Sequence, residues 1–403
     1  MLKAGSLLSV IIIALLIAII CSTIIIEAGL HRQYQLKNKL EYEAIRLAEN
    51  RLFLSLGNAQ DTPYSEDSTS VSEFSWGVFK VIVSVYKSGR TNHHRIALVG
   101  YKEKQEERYA LWLKDINRPL TLVGDTDIEG KCFIPKSGIK RGYVDGISFN
   151  RSKLINGSTE ESTERMPLIR YSTVEELKNG LNKRFTEPFE MYEGPMTDTI
   201  QRSFSEKTLV IEHSGLIENK YLKGKIILYS KDSLIIGDNN ELNNILVYSK
   251  KIYFNNGVKV KAQFITYDSI VLGENCELEY PSLLASLFID NNSIPKVLVG
   301  NGSVVNGSVY VESSLDPFHP AMLHLFENAK VAGNAWVNGY VQLQGDIEGS
   351  LSCDRFILVK NSSIYENHLL DVSISSIKLS KYFVNTNLFL PNSKEKEIVE
   401  WLE

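Results

Sequence analysis

Cysteine is scarce in this chain: four in 403 residues, at positions 21, 132, 276 and 353. That number and scatter exclude a disulfide scaffold or a zinc knuckle. Neither sign of charge dominates, since 44 Lys and Arg face 48 Asp and Glu for a formal charge of −4. The basic footprint of a nucleic-acid binder is therefore absent, and no nucleic-acid partner is expected. Eleven Pro and 26 Gly are ordinary amounts, which excludes collagen-like and Pro-rich classes. Common catalytic signatures are missing as well. There is no Gly-x-Ser-x-Gly elbow and no His-Glu-x-x-His. The stretch from Gly124 to Gly130-Lys131-Cys132 is one residue too long for a P-loop and lacks the Ser or Thr that meets magnesium. Gly300-Asn301-Gly302 opens like a dinucleotide fingerprint, but its next glycine, Gly307, comes too late.

What the chain does have begins at its N-terminus. Leu7–Ile26 is uncharged, and only Ser9, Ser22 and Thr23 carry hydroxyls. As a helix it spans roughly 30 Å, the thickness of a bilayer's hydrocarbon core, so a lipid bilayer is the expected partner of Leu7–Ile26. The run is longer than a signal peptide's apolar region and ends Ile24-Ile25-Ile26-Glu27 without a small-residue cleavage site, which predicts an uncleaved anchor. Leu36, Leu40, Ala44 and Leu47 continue a helical spacing beyond it, with Lys37/Glu41 and Lys39/Glu43 pairs between. Residues 1–56 are thus predicted as a transmembrane anchor and helical stalk. Counted by flanking positive charge, the domain would stay in the cytoplasm; long folded domains cross largely regardless of charge, so the expectation is an inner-membrane, single-pass protein with its C-terminal domain extracytoplasmic. The join of an apolar half to an amphipathic half resembles the N-terminal helix of type IV pilins. A cut after Gly5 would place Val10 where pilins carry Glu.

Residues 57–72 are polar and turn-forming and read as a linker. Residues 73–118 read as an antiparallel meander, with runs at Phe79–Tyr86, Arg95–Tyr101 and Tyr109–Leu113. Further on, one ten-residue phrase recurs, starting at Ser233, Lys251, Ser269, Lys296, Met322, Tyr340 and Arg355. Its second, fourth and tenth places are apolar, with Gly349 the exception, and its seventh holds Asn239, Gly257, Asn275, Gly302, Asn328, Asp346 and Asn361. Those residue types tolerate a left-handed backbone, as a tight corner requires. Strand, corner, strand at a base period near 18 residues predicts a single-strand β-helix, or β-solenoid, over 119–390. Loops are expected at Glu279–Pro295 and Glu312–Ala321, and an insertion at 157–205 with one helix capped by Thr173 and Glu176 and facing inward through Val174, Leu177 and Leu181. The string Asp127-Ile128-Glu129-Gly130 recurs at Asp346–Gly349, which suggests that one or two coils occupy 119–156. The meander is expected to cover the first coil. Ile377–Leu390 is expected to form final strands, and 391–403 a capping helix started by Asn392 or Ser393 and presenting Trp401 and Leu402.

The stretch from Val331 through Val337 and Leu343 to Gly349, with Val305–Val311, resembles bactofilins, polymer-forming bacterial scaffold proteins built on a right-handed β-helix. That resemblance implies a structural role with self-association or a protein partner. The six-residue spacing of Val331, Val337 and Leu343 also fits left-handed β-helix acyltransferases, so the pattern leaves handedness open.

The best acid–base or metal constellation is Asp316, His319 and His324 on a loop flanked by Pro317 and Pro320, yet its spacing matches no ligand rule. His93-His94 beside a hairpin turn read as solvent-exposed, and Cys132, Cys276 and Cys353 as core or corner residues. No catalytic, cofactor-binding or metal-ligating residue is assigned and no cofactor is expected. The sequence predicts a single-pass, membrane-anchored structural protein of the bacterial cell envelope. The alternative is a carbohydrate-active or acyltransferase-type β-helix enzyme.

Overall fold

The computed structural model describes residues 4–57, 69–88, 91–290, 293–313, 320–390 and 395–402. The chain is mainly β and carries one long N-terminal helix, α1 (Ala4–Leu56). It divides into two units, Met1–Ser72 with Val83–Arg95, and Glu73–Ile82 with Ile96–Glu403.

In the first unit, α1 is long and apolar enough to cross a membrane. Its apolar side chains from Leu7 to Ile26 are exposed. The hydroxyls of Ser22 and Thr23 bond back to the carbonyls of Ala18 (2.9 Å) and Ile20 (2.8 Å), so neither is left unsatisfied in an apolar surrounding. In the second half of the helix the Lys37–Glu41 pair forms at 3.8 Å. The expected apolar face is displaced: Leu36 and Leu40 are exposed, and the buried stripe is Ala44, Ala48, Leu52 and Leu56. A four-residue spacing keeps that stripe on one side of the helix.

Strands β1 (Thr69–Trp76), β2 (Phe79–Ser88) and β3 (Thr91–Tyr101) form a sheet in that order. Its fourth strand is Lys396–Leu402, antiparallel to β3 with Ile96 opposite Leu402 and Ala97 opposite Trp401. The helix expected over 391–403 is thus corrected to a strand, since the open edge of β3 offers backbone partners that a short terminal helix lacks. Its expected caps, Asn392 and Ser393, lie outside the described residues, as does most of the predicted linker. The sheet also does not cover an end of the large sheet. Trp76 Nε1 donates to the Asn244 carbonyl (2.9 Å) and Val78 N to Gln263 Oε1 (2.8 Å), which fixes it on a flank.

The large sheet closes on itself and is built from parallel pairs. Leu234 pairs with Ile252, Ile252 with Ile270, Ile270 with Val297, Val297 with Leu323, Leu323 with Val341, and Val341 with Phe356. These are the second places of all seven phrases, and all seven side chains are fully buried. Burying each stabilises the fold by roughly 1.5–3 kcal/mol relative to exposure. Six of the seven corner residues have positive φ: Asn239, Gly257, Asn275, Gly302, Asn328 and Asn361; Asp346 does not. At Tyr340 the corner is shorter, so Ile347, not Gly349, pairs with Val331. Gly349 joins a column with Gly333 and Gly307, at φ +149°, +153° and +151°. A Cβ at Gly333 would fall 1.8 Å from the Gly307 carbonyl oxygen, so the column leaves no room for a side chain. The seventh phrase leaves the stack, because Val359 and Ile364 pair antiparallel in a hairpin.

The early segment is stacked at the other end from the one expected. β4 (Tyr109–Leu113) is not part of the meander: Leu111 pairs in parallel with Leu351 and Leu113 with Cys353. β6 (Asp127–Glu129) follows Ser373–Ser375, so Ile347, Ile374 and Ile128 form one row. The two Asp-Ile-Glu-Gly strings therefore occupy equivalent places two levels apart. β7 (Lys131–Ile134) pairs with β4 and with Thr159–Glu161. At the opposite end Phe189–Met191 pairs with Thr208–Glu212 and Thr199–Arg202 with Tyr221–Gly224, so short strands within the expected insertion 157–205 belong to the large sheet. Between them lies α2 (Tyr171–Leu181), which buries Val174, Leu177 and Leu181 as predicted. The expected capping box is absent: the helix starts after Arg170, which makes no side-chain cap, and Thr173 is buried in its first turn. Glu277–Ser286 is strand, which confines the first expected loop to 287–295. Ile377–Leu390 is irregular, held by single bridges from Asn385 to Tyr101 and Phe389 to Ile169.

A candidate ligand cleft on the outer face

Of the predicted constellation, only His324 is among the described residues. Asp316 and His319 lie outside the described residues. His324 points outward from the strand Ala321–Leu325; its ring stacks on Phe326 at 3.8 Å and bonds Gln344 Oε1 at 3.1 Å. Burial lowers its pKa, which favours a neutral, packed ring. His93 and His94 are on β3, His94 exposed and His93 half-buried. Cys132, Cys276 and Cys353 are buried free thiols, and burial pushes Cys132 up to about 12, so these are poor nucleophiles. Among the described residues no three His, Cys, Asp or Glu converge on a metal site.

A different region does gather chemistry. The strand register sets Trp336 beside Ser352, Ser352 beside Trp112, and Trp112 beside Phe133. This outward row floors a cleft of about 560 Å³, within the usual range for a ligand site. The rings of Trp112 and Phe133 lie 4.2 Å apart at 33°, and Tyr109 meets both edge-on. Trp336 stacks on Tyr310 at 5.2 Å and donates Nε1 to the Pro167 carbonyl (3.1 Å). Tyr109 and Ser352 share a 2.7 Å hydrogen bond, and burial pushes the Tyr109 phenol up to about 12.

The segment joining β3 to β4 walls the cleft with Glu103, Glu106 and Glu107. Arg108 is buried beneath it and donates to the carbonyls of Ser380 (3.1 Å) and Phe383 (3.2 Å). Glu103 lies 3.7 Å from the Arg108 guanidinium and accepts from Asn385 Nδ2 at 3.2 Å. Burial nevertheless raises its pKa, against the pull of Arg108 and with a further push from Glu107. Three polar atoms here have no partner in the protein: Trp112 Nε1, Asn334 Oδ1 and Glu107 Oε2. Asn334 is only 6% exposed, and its amide nitrogen is already committed to Asn385 Oδ1 at 2.8 Å. A buried polar atom left without a partner costs about 1–3 kcal/mol, and three of them lie on residues lining this cleft.

No family model, curated protein or solved structure matches this chain. The reading of the cleft thus rests on its own chemistry.

Sequence reasoning missed these residues because Trp336 and Ser352 lie more than 200 residues from Glu103, Trp112 and Phe133 in the chain. One signal was available. Tyr310, Trp336 and Ser352 each follow the row Val305, Val331, Ile347 by the same interval, and so project from the same face.

Proposed function

We propose that this chain is a single-pass, membrane-anchored structural protein of the bacterial cell envelope, in which a β-solenoid is displayed to a partner. The observation that carries the reading is the uncharged run Leu7–Ile26, with apolar side chains exposed along a continuous helix. Water disfavours that much apolar surface, and a bilayer removes the penalty. The solenoid reading rests on the unbroken row from Leu234 to Phe356, in which each residue lies beside its counterpart one repeat on.

Display to a partner is favoured over end-to-end polymerisation of the bactofilin kind. Among the strands with a partner on one side only, Thr159–Glu161 and Phe189–Met191 are three residues long and carry carboxylates, and Thr199–Arg202 and Gly215–Ile217 are four and three residues long. Short, charged edges disfavour strand addition by another copy. The domain is assigned to the extracytoplasmic side of the inner membrane.

Membrane fractionation and protease access test the reading. The full chain is expected to stay in the membrane pellet after alkaline carbonate, and Ile13→Lys/Ile17→Lys to shift it into the soluble fraction. Protease added to spheroplasts is expected to digest the C-terminal domain. Carbonate release of the wild-type chain would refute the anchor, and full protection in spheroplasts would reverse the orientation.

A further inference from the structure

We propose that the cleft floored by Trp112 and Phe133 and walled by Glu103, Glu106 and Glu107 binds a neutral oligosaccharide. The inference is independent of the anchor and would survive its failure.

The unpartnered atoms narrow the ligand's chemistry. Trp112 Nε1 is a donor without an acceptor; Asn334 Oδ1 and Glu107 Oε2 are acceptors without donors. An ammonium or guanidinium only donates, and would leave the indole N–H unsatisfied. A phosphate or carboxylate only accepts when ionised, and would leave the amide oxygen bare while facing three glutamates. A hydroxyl donates and accepts, so a polyhydroxylated ligand satisfies both senses at once. Among the described residues one lysine lines the cleft, Lys131, which lies over the Phe133 ring at 4.8 Å and is ion-paired with Glu160 at 2.8 Å, so the described carboxylates set the sign of the field. That sign excludes anionic sugars.

The floor supplies the other half of saccharide recognition. The Trp112 indole, backed by Phe133 and with Tyr109 edge-on to both, supplies an apolar ring with a polar rim, the kind of surface on which the C–H face of a pyranose ring packs. Strand spacing gives the length. From Trp336 through Ser352 and Trp112 to Phe133 the row crosses three spacings, about 14 Å in all, longer than one sugar ring. Ser352 is the one small residue in that row, and the Tyr109 hydroxyl lies against it.

Calorimetry and tryptophan fluorescence on the full chain, held in a detergent without a sugar headgroup, test the assignment with cellohexaose, chitohexaose and maltohexaose. At least one is expected to bind. Trp112→Ala is expected to weaken that binding tenfold or more, and Trp112→Phe, which keeps a ring but drops the N–H, to weaken it several-fold. Tyr253→Ala, at an exposed ring on the strand Glu241–Phe254, is expected to leave it unchanged. Circular dichroism of Trp112→Phe and Glu107→Gln keeps the test separate from misfolding. Three outcomes overturn the proposal: no binding of any of the three sugars, binding indifferent to both Trp112 and Glu107, or Trp112-dependent binding of hexalysine in their place.

Discussion

The levels between Ser233 and Leu343 and the levels that close the stack use the same parallel pairing, yet they are assembled differently. In the first, each strand finds its neighbour one repeat along the chain, as Ile252 finds Ile270. In the second, Leu111 lies beside Leu351, Ile374 beside Ile128, and the Ser350 hydroxyl donates to the Tyr109 carbonyl 241 residues away in sequence. The repeat is thus a property of the packing, and chain order is only one way to supply it. Any segment with the right alternation and a corner can take a level, wherever it lies in the sequence.

Substitutions can break that comparison in order of effect. The largest is expected for Ile270→Asp in the regular part. It places a carboxylate at a fully buried position among aliphatic neighbours, and a cost above about 4–5 kcal/mol is expected, read as loss of the cooperative β signal in thermal circular dichroism. Next come Leu111→Ala and Leu351→Ala, both at fully buried positions of the closing levels, each costing about 2–5 kcal/mol in urea titration. Because the two residues are stacked, a double-mutant cycle is expected to show a coupling of about 0.5–3 kcal/mol. Additive losses would remove the pairing across the chain. A smaller effect is expected at a corner. Asn275 has a φ of +55°, and Asn275→Ala is expected to cost about 1–2 kcal/mol while Asn275→Gly stays near wild type.

The smallest effect is a pH dependence. Burial holds the Glu103 carboxyl above its ordinary value of 4.5. The folded state then binds this proton more tightly than the unfolded chain does, so this group's contribution to stability falls as pH rises from 4.5 through the folded value and is constant above it. Glu103→Gln is expected to flatten that part of the thermal-stability profile, and an unchanged slope would show that the carboxyl is not held in this way.

The regular levels were legible because their signals are local. Aliphatic pairs such as Leu234/Ile236 and corner residues such as Asn239 and Asn275 return at short intervals, so the row could be drawn before any contact was known. β4 was misread for the converse reason. The alternation in Tyr109–Leu113 fits a hairpin and a parallel level equally well, and its partner is remote. Lys396–Leu402 follows cap-forming residues that suggest a helix, but pairing with β3 overrides local preference. The cleft was illegible because it depends on register: Trp336, Trp112 and Phe133 share a face only once three distant strands are aligned.

The closing levels also bear on how the chain matures. When β4 and β6 leave the ribosome they bear the apolar side chains of Leu111, Leu113 and Ile128, and the strands that cover one side of them, around Leu351 and Ile374, follow much later in the chain. Until those residues arrive, the earliest part of the domain must wait half-made, which favours slow folding and a chaperone's attention during that interval.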